Sequence, residues 1–281
     1  MNLIEKTKLI LSEHGVKPAH RLGQNFIVDE SILERQVMHA HLKKSDTVLE
    51  IGPGIGSLTE LLLESAGAVF VIERDRRMVD ILRERFGGDN RLKVVLEDAL
   101  EVEFPEFNKV VSNIPYGISS PLTFRLFKHR FELGIITYQL EFANRMVALP
   151  CTRDYSRISV AASYYADLRI LEHVPKDAFY PVPEVDSALV GLKPRKPRFR
   201  VDEEHFFNVL RGIFSHRGKT LRKALFHSDV LSSMEKASRM KLIERAVSRE
   251  LLKKRVFQLL PEEIADISNS LKHTSEVVRR N

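Results

Sequence analysis

Short apolar runs rich in β-branched residues alternate with amphipathic stretches through the first half of this chain. Strands are predicted for these runs, at residues 47–51, 68–73, 92–96, 109–112 and 134–138. Between them, residues 58–65 and 78–86 carry apolar side chains at helical spacing. Strands alternating with helices are typical of crossover units in a mostly parallel sheet, where ligands bind at the carboxyl ends of the strands. We therefore expect an α/β domain with a site at that edge of the sheet.

The pattern changes after Tyr155. Strands are predicted at residues 158–165, 168–174 and 187–192, without helix-length spacers, which indicates a partly antiparallel edge of the sheet. A basic segment interrupted by prolines, residues 193–200, is the predicted linker. Helices are predicted beyond it, at residues 203–214, 219–227, 232–244 and in the stretch to 260. We expect two domains: residues 1–195, with an N-terminal helical extension, and a small helical domain at 196–281.

Composition narrows the class of protein. The formal net charge of +6 is moderate, so it favours a polyanionic partner only where it is concentrated. Cys151 is the one cysteine of the chain, which excludes an internal disulfide framework and fits a reducing cytosol. No run approaches the roughly 20 apolar residues that cross a bilayer. We expect a cytoplasmic, monomeric protein without a membrane partner, and no His/Cys/Asp cluster has the spacing of a metal site.

The first candidate for chemistry is the glycine-rich segment Val48-Leu-Glu-Ile-Gly-Pro-Gly-Ile-Gly56, at the junction of a predicted strand and helix. Glycine lets the backbone turn tightly and approach a ligand, and Gly52 and Gly54 are the candidate contacts. Dinucleotide enzymes use a similar turn, so the segment alone leaves the ligand open. Glu73 ends the second strand and could bind ribose hydroxyls, and Asp98 follows the third and could accept from an adenine amine.

The tetrapeptide Asn113-Ile114-Pro115-Tyr116 follows the fourth strand and favours methyl transfer. The exocyclic nitrogen of adenine is a weak nucleophile because its lone pair is delocalised into the ring. The Asn113 side-chain oxygen and the Ile114 carbonyl could both accept its hydrogens and direct the lone pair towards a methyl donor. Pro115 would stiffen the turn, and Tyr116 would offer a ring for stacking. Alignment and electrostatic preorganisation would supply the rate enhancement.

Together with two further segments, these motifs resemble the ribosomal RNA adenine dimethyltransferases, whose superfamily includes the erythromycin-resistance methyltransferases. The additional segments are Leu22-Gly-Gln-Asn-Phe26 and Ala178-Phe-Tyr-Pro-Val-Pro-Glu-Val-Asp-Ser187, and a further matching segment, Phe214-Ser-His-Arg-Gly-Lys-Thr-Leu-Arg222, lies in the C-terminal part. Tyr138-Gln-Leu-Glu-Phe-Ala-Asn-Arg-Met146 is more similar to the archaeal and eukaryotic branch. The resemblance implies a Rossmann-like α/β methyltransferase domain with a small C-terminal helical domain. It also implies S-adenosylmethionine as cofactor and dimethylation of two adjacent adenines near the 3′ end of small-subunit ribosomal RNA, with a role in ribosome biogenesis.

The resemblance also implies roles for individual residues. The cofactor would contact Gln24, Asn25, Ile27, Gly52, Gly54, Glu73, Asp98 and Asn113. The catalytic centre would comprise Asn113, Ile114, Pro115, Tyr116 and Phe179. Within that centre, the target adenine would lie between the rings of Tyr116 and Phe179, and a base inside an RNA helix would have to leave its stack to reach them.

Positive charge is concentrated in the second half of the chain. From Lys193 to Lys223 there are ten Lys or Arg residues against three acidic residues. Contacts to RNA phosphates are expected from Arg217, Lys219, Arg222 and Lys223. The partner would be small-subunit ribosomal RNA or a precursor of the small subunit.

Other functions remain open at this point. A sister enzyme could methylate an adenine of large-subunit RNA and confer macrolide resistance, although the Gly-Pro-Gly turn and the proline-rich segment around Phe179 favour the small-subunit branch. A ribosome-assembly factor could retain the fold without catalysis. An NAD-dependent oxidoreductase ranks last, because it has no use for the tetrapeptide at Asn113.

Overall fold

The computed structural model describes residues 1–19, 22–232 and 234–280, the side chains of residues 275–280 excepted. The strands are β1 (Phe26–Ile27), β2 (Thr47–Ile51), β3 (Ala68–Glu73), β4 (Leu92–Leu96), β5 (Lys109–Asn113), β6 (Leu133–Gln139), β7 (Ala166–Val174), β8 (Phe179–Tyr180) and β9 (Ser187–Pro194). The helices are α1 (Leu3–Glu13), α2 (Glu30–Ala40), α3 (Ser57–Ser65), α4 (Arg76–Phe86), α5 (Ser119–Leu126), α6 (Leu140–Val147), α7 (Arg157–Tyr165), α8 (Glu203–Phe214), α9 (Leu221–His227), α10 (Lys236–Ala246), α11 (Arg249–Lys253) and α12 (Pro261–Arg280).

A seven-stranded sheet forms the centre of the first part of the molecule, in the order β4-β3-β2-β5-β6-β9-β7. Neighbouring strands from β4 to β6 are parallel, and β9 pairs antiparallel with β6. The predicted α/β class, with its mostly parallel sheet and antiparallel edge, is confirmed. The carboxyl ends of β2, β3, β4 and β5 therefore meet at one edge, as the position of the motifs requires.

The central strands were predictable because apolar residues fill them. Val48, Leu49, Val69, Val71 and Val110 are all fully buried, at 0% exposure. A parallel strand covered by helices on both faces is apolar on both, so it has no alternating pattern and its ends are marked by polar or glycine residues. Each such side chain stabilises the fold by roughly 1.5–3 kcal/mol on burial.

One predicted strand is wrong. Residues 158–165 lie in the helix α7, whose first turn is stabilised by a hydrogen bond from the Ser156 N–H to Ser159 Oγ (2.9 Å). Most of this helix is buried, including Val160, Ala161 and Ala162 at 0% exposure. A helix covered on all sides loses the 3.6-residue periodicity that distinguishes it from a buried strand, so the sequence pattern was ambiguous.

The chain divides into two compact units, one of Met1–Ala143 with Asp167–Pro194 and one of Asn144–Ala166 with Arg195–Asn281. Residues 144–166, which were predicted to belong to the first domain, group by their contacts with the second unit. Within that unit, the Tyr155 hydroxyl donates to the Leu259 carbonyl (2.8 Å). A long-range bond of this kind leaves no trace in the local sequence.

The predicted linker is not a free connection where it enters the second unit. The Arg195 N–H donates to the Tyr165 carbonyl (3.0 Å), Arg198 forms an ion pair with Glu262 (2.6 Å), and the Phe199 ring lies 5.0 Å from that of Tyr164. Part of the basic charge assigned to the linker is therefore paired inside the unit.

The helices of the second unit differ from prediction mainly at their ends. Helix α9 begins at Leu221 because Thr220 is extended and forms a bridge with Arg255. Helix α12, which begins with Pro261 at a favourable first position, was not predicted. Within the residues described, no helix combines the length and apolarity needed to cross a membrane.

Candidate functional site

The glycine turn between β2 and α3 requires its glycines. Gly52, Gly54 and Gly56 have φ angles of +71°, +58° and +87°, which side-chain-bearing residues rarely adopt. A Cβ atom on Gly54 would lie 2.7 Å from Cε1 of Phe26, and one on Gly52 would lie 3.1 Å from Cδ of Pro115. The turn is therefore in close contact with two other motifs of the chain.

All four segments that the sequence analysis singled out in this unit converge here. Pro115 also lies against Gly23, where an added Cβ would come within 3.4 Å of the proline Cβ. Phe26 pairs with Tyr180 in the two-stranded sheet of β1 and β8. Segments far apart in the chain thus form one continuous surface beside the ends of the parallel strands.

The ends of four neighbouring strands align four candidate groups in a row. Asp98 follows β4, Glu73 ends β3, Gly52 follows β2 and Asn113 ends β5, and the strands lie in that order in the sheet. Adjacent strands are about 4.8 Å apart, so the row is on the order of 14 Å long. An extended nucleoside joined to an amino acid fits such a row, with carboxylates for the amine and hydroxyls of the nucleoside and a glycine for close backbone approach.

The carboxylate of Glu73 is held in place by backbone groups. Its oxygens accept from the Asp75 N–H (2.8 Å) and the Gly54 N–H (3.4 Å), and the residue is 6% exposed. Burial raises the pKa of Glu73, and these two hydrogen bonds counter part of that rise. The side chain is therefore fixed at the end of β3 with its oxygens beside the glycine turn.

Asp98 lies further out and is balanced by a cation. Arg74 is 3.5 Å from one of its oxygens, and the other accepts from the Leu100 N–H (2.9 Å). The arginine lowers the local negative potential without burying the carboxylate, which keeps it accessible as an acceptor.

A third acidic side chain at this edge was not identified from the sequence. Glu50, in β2, is 1% exposed and accepts from the Thr59 hydroxyl (2.7 Å). Burial raises the pKa of Glu50 to about 8, the Thr59 bond opposes this rise, and the charge of Glu73 adds to it. In the sequence, Glu50 is a single charged residue within an apolar strand, and this pattern does not indicate a function. The shifted pKa of Glu50 follows from its burial, which only the structure shows.

The segment around Asn25 forms one wall of the site. Asn25 borders small cavities on two sides, one beside Gly52 and Asn113 and the other beside Tyr116. Ile27 lies in β1 at 3% exposure and borders the first. Both residues are among those that the resemblance predicts to contact the cofactor.

The side chain of Gln24 stabilises this wall through two hydrogen bonds. Its side-chain oxygen accepts from the Ala19 N–H (2.8 Å), and its amide nitrogen donates to Asp75 (2.8 Å). The pKa of Asp75 is lowered, first by its hydrogen bonds to Arg77 and also by the bond from Gln24. Gln24 therefore connects the N-terminal segment to the loop after Glu73.

Asn113 is oriented by a residue from the neighbouring strand. The Thr137 hydroxyl donates to the Asn113 side-chain oxygen (2.5 Å), and the two residues are direct partners in the pairing of β5 with β6. Next to Asn113, the Ile114 side chain is 3% exposed. The buried Ile114 side chain fixes this turn in place, and with it the Ile114 carbonyl, which is the second predicted acceptor for the adenine amine.

Tyr116 borders a cavity of about 330 Å³. Its hydroxyl forms a 2.7 Å hydrogen bond with Ser187 Oγ, and burial raises the pKa of Tyr116. The lining residues are Pro18, Gly23, Gln24, Asn25, Tyr116, Gln139, Pro181, Val182, Pro183, Glu184 and Val185. The proline-rich segment contributes apolar side chains to this lining, with Glu184 as the exception, and Gln24, Asn25 and Gln139 contribute polar groups.

Phe179, the second ring predicted to stack on the target adenine, is buried in this structure. The residue is 3% exposed and belongs to a buried cluster with Ile27, Leu33 and Leu189. It is not among the described residues that line the cavity beside Tyr116. Its pairing with Ile27 across β1 and β8 places it in the core, so in this structure the ring is not exposed for stacking.

The four basic residues expected to contact RNA have different environments. The guanidinium of Arg217 donates to the carbonyls of Tyr155, Thr152 and Arg153 (2.7–2.8 Å), and Arg222 is paired with Glu244. Lys219 and Lys223 are exposed, and in the described part of the chain no hydrogen bond or ion pair is shown for their side chains.

No role was predicted from the sequence for three polar residues at the site. Thr137 and Gln139 lie two positions apart on β6, and Ser187 pairs with Gln139 across β9. A run of apolar strand residues hides such polar positions, and only their place at the end of a strand distinguishes them. No group of three or more His, Cys, Asp or Glu residues with metal-binding geometry occurs among the described residues.

A known family model matches most of the chain. The family model described as ribosomal RNA adenine dimethylase matches residues 16–263. A protein of Pyrococcus abyssi, the probable ribosomal RNA small subunit methyltransferase A, is 43% identical over 94% of this chain and 95% of that protein. A protein of the same name from Methanothermobacter thermautotrophicus is 45% identical over 97% of this chain and 98% of its own length.

Two solved structures share the fold over nearly their whole length. A dimethyladenosine transferase from Plasmodium falciparum has a TM-score of 0.78 at 30% identity and covers 87% of this chain and 96% of its own. The 23S rRNA methyltransferase ErmE has a TM-score of 0.64 at 29% identity, with 88% and 99% covered. The similarity therefore includes the second unit as well as the sheet.

Proposed function

This chain belongs to the ribosomal RNA adenine dimethylase family, and we propose that it dimethylates two adjacent adenines near the 3′ end of small-subunit ribosomal RNA. S-adenosylmethionine is its cofactor, as in that family. The observation that supports the proposal most is the row of Asp98, Glu73, Gly52 and Asn113 at adjacent strand ends. The row ends at the cavity-lining segment of Tyr116, so a cofactor along it would point its amino-acid end towards that cavity.

The residues of the chain fit this cofactor. The glycine turn leaves little room for a Cβ between Gly52 and Pro115, so the bare backbone of Gly52 lets a ligand approach closely. Glu73 is preorganised for the ribose hydroxyls by its two backbone bonds, and Asp98 lies one strand further for the adenine amine. The bound cofactor supplies a methyl group on a positively charged sulfur, which is a good leaving group.

The protein's own residues bind the target adenine and align its amine with the methyl group. Asn113 Oδ1 and the Ile114 carbonyl accept the two hydrogens of the adenine amine and direct its lone pair out of the ring plane. The ring of Tyr116 stacks on the base, and Pro115, packed against Gly23, keeps the turn rigid. A cavity of about 330 Å³ lies within the size range of small-molecule sites and accepts one extruded base.

A stacking role for Phe179 requires its ring to be uncovered when RNA binds. The apolar wall of Pro181, Val182 and Pro183 already borders the cavity and offers the base a second face. We therefore assign the face opposite Tyr116 to this wall, with Phe179 supporting it from the core.

RNA beyond the target base is held by the second unit, in our proposal through the exposed side chains of Lys219 and Lys223. Arg217 and Arg222 support that surface structurally, because their guanidinium groups are engaged with carbonyls and with Glu244. Such phosphate contacts position the substrate without reading its sequence. The substrate would be small-subunit RNA or a precursor particle, bound by a monomer in the cytoplasm.

The large-subunit alternative is less well supported. ErmE is a structural relative, but the curated relatives that match over almost the full chain are named for the small subunit. An assembly factor without catalysis does not need the intact set of Glu73, Asp98, Asn113 and Tyr116.

The test is transfer of labelled methyl from S-adenosylmethionine to unmethylated small subunits and, separately, to large-subunit RNA, followed by nucleoside analysis. We expect dimethyladenosine in small-subunit RNA, and its loss in Asn113→Ala with little change in cofactor affinity. Asn90→Ala, at an exposed position just before β4, is the matched control and should methylate normally. Transfer to large-subunit RNA alone would reassign the substrate, and no transfer to either RNA would refute the enzymatic proposal.

A further inference from the structure

Thr137 lies outside every motif of the sequence, yet it touches the proposed catalytic amide. Its hydroxyl donates to Asn113 Oδ1 at 2.5 Å, and its side chain is almost fully buried, at 2% exposure. The contact is set by the register of the sheet, because Asn113 at the end of β5 lies directly opposite Thr137 on β6.

The direction of this hydrogen bond determines which way the amide faces. A carboxamide can rotate by half a turn and exchange its oxygen and nitrogen, which have nearly the same size. The Thr137 hydrogen is buried and needs an acceptor, and Oδ1 is the acceptor that the structure provides among the described residues. With the nitrogen turned towards Thr137, that hydrogen would be left without an acceptor.

We propose that Thr137 is a positioning residue for methyl transfer, whose hydroxyl orients the Asn113 carboxamide. One lone pair of Oδ1 is then used by Thr137, and the second remains for the amine of the target adenine. In the opposite orientation, the Asn113 NH₂ group would face the adenine amine, donor against donor. This inference rests on the function proposed above, and it adds a residue that acts through Asn113 without touching the substrate.

The sheet itself does not need this hydroxyl. Pairing of β5 with β6 runs from Lys109 with Leu133 to Asn113 with Thr137 through backbone groups. Valine has nearly the shape of threonine and favours strands as strongly, so Thr137→Val removes the hydrogen bond with little effect on the fold. Thr137→Ser keeps the hydroxyl and removes a methyl group.

Steady-state kinetics of the three forms tests the proposal. For Thr137→Val we expect kcat to fall about tenfold, the factor for one net hydrogen bond in the transition state, with KM for cofactor and RNA changed less than about twofold. Thr137→Ser should recover most of kcat. Thr47→Val, at the opposite end of the same sheet, is the matched control and should have wild-type kinetics. Wild-type kcat in Thr137→Val, or failure of Thr137→Ser to recover it, would overturn the assignment.

A measurement that needs no turnover separates this inference from the proposed function. In ¹⁵N-labelled protein, the side-chain NH₂ signal of Asn113 can be assigned by its loss in Asn113→Ala. We expect a sharp pair of resonances in wild type and in Thr137→Ser, and exchange broadening or a shift in Thr137→Val. An unchanged NH₂ pair in Thr137→Val would refute the positioning role even if the wild type methylates RNA. If the wild type is inactive but the pair responds as expected, the orientation stands and the proposed function fails.

Discussion

Two alanine variants, Gly54→Ala at the glycine turn and Gly15→Ala outside it, can separate the cost of backbone strain from the cost of side-chain collision. Both glycines have nearly the same φ, +58° at Gly54 and +61° at Gly15. An added Cβ meets nothing within 4 Å at Gly15, whereas at Gly54 it would lie 2.7 Å and 2.9 Å from two ring carbons of Phe26. The two substitutions therefore share the conformational cost and differ in the collision.

The expected magnitudes follow from these distances. A left-handed alanine costs roughly 1–2 kcal/mol, which is the whole effect expected for Gly15→Ala. At Gly54 the Phe26 ring must retreat by several tenths of an ångström or more, and its strand is paired with β8, so overpacking adds about 1–3 kcal/mol. The melting temperature of Gly54→Ala should then lie roughly 3–9 °C below that of Gly15→Ala.

The assay combines thermal unfolding with calorimetric titration of S-adenosylmethionine. Gly54 donates to Glu73, so its displacement also disturbs the ribose-binding carboxylate, and we expect affinity about tenfold weaker in Gly54→Ala and unchanged in Gly15→Ala. Adding Phe26→Leu to Gly54→Ala should recover part of the lost stability. Equal melting temperatures for the two alanine variants would refute the collision argument.

Three further results are expected. Tyr116→Phe and Ser187→Ala should each lower kcat by a similar factor of roughly 3–10, and the double variant should lose no more than either, because both remove the same hydrogen bond; multiplied losses would contradict this. Since burial raises the pKa of Glu50 to about 8, the stability from its neutral form is complete below about pH 4 and lost as the pH rises through 8. Denaturation at several pH values should therefore show that the free energy of unfolding of Glu50→Gln rises relative to wild type, by at most about 1.4 kcal/mol per pH unit between about pH 5 and 8. Parallel plots of unfolding free energy against pH for the two proteins would rule out the shifted pKa. Replacing Lys219 and Lys223 with alanine should weaken RNA binding and reduce its salt slope by about 2, measured by filter binding, whereas an unchanged slope would place the RNA elsewhere.

The parallel strands and the glycine turn were determined by sequence alone. Predicted and observed bounds agree at β2, β3 and β4, and the helix at Glu203–Phe214 was also predicted with its observed ends. Such elements carry a local signature, because apolar runs end at glycine or charged residues and because a left-handed turn between strand and helix admits little else. Gly52, Glu73 and Asp98 follow from the same signature as candidate ligand contacts, since a motif at a strand end reaches the ligand edge in any parallel sheet. Gln24, Asn25 and Ile27 were implied only by the family resemblance.

Only the tertiary structure decided which side chains face each other. The contact of Thr137 with Asn113 depends on strand register, and that of Ser187 with Tyr116 on where the turn after β5 lies. The hydrogen bonds of Arg217 to backbone carbonyls involve a segment more than 60 residues away in the chain. The burial of Phe179 has the same origin. The local pattern of apolar and polar residues indicates which side of a segment is buried and which is exposed. Hydrogen-bond partners depend instead on how segments distant in sequence pack together. These contacts could therefore not be deduced from the sequence alone.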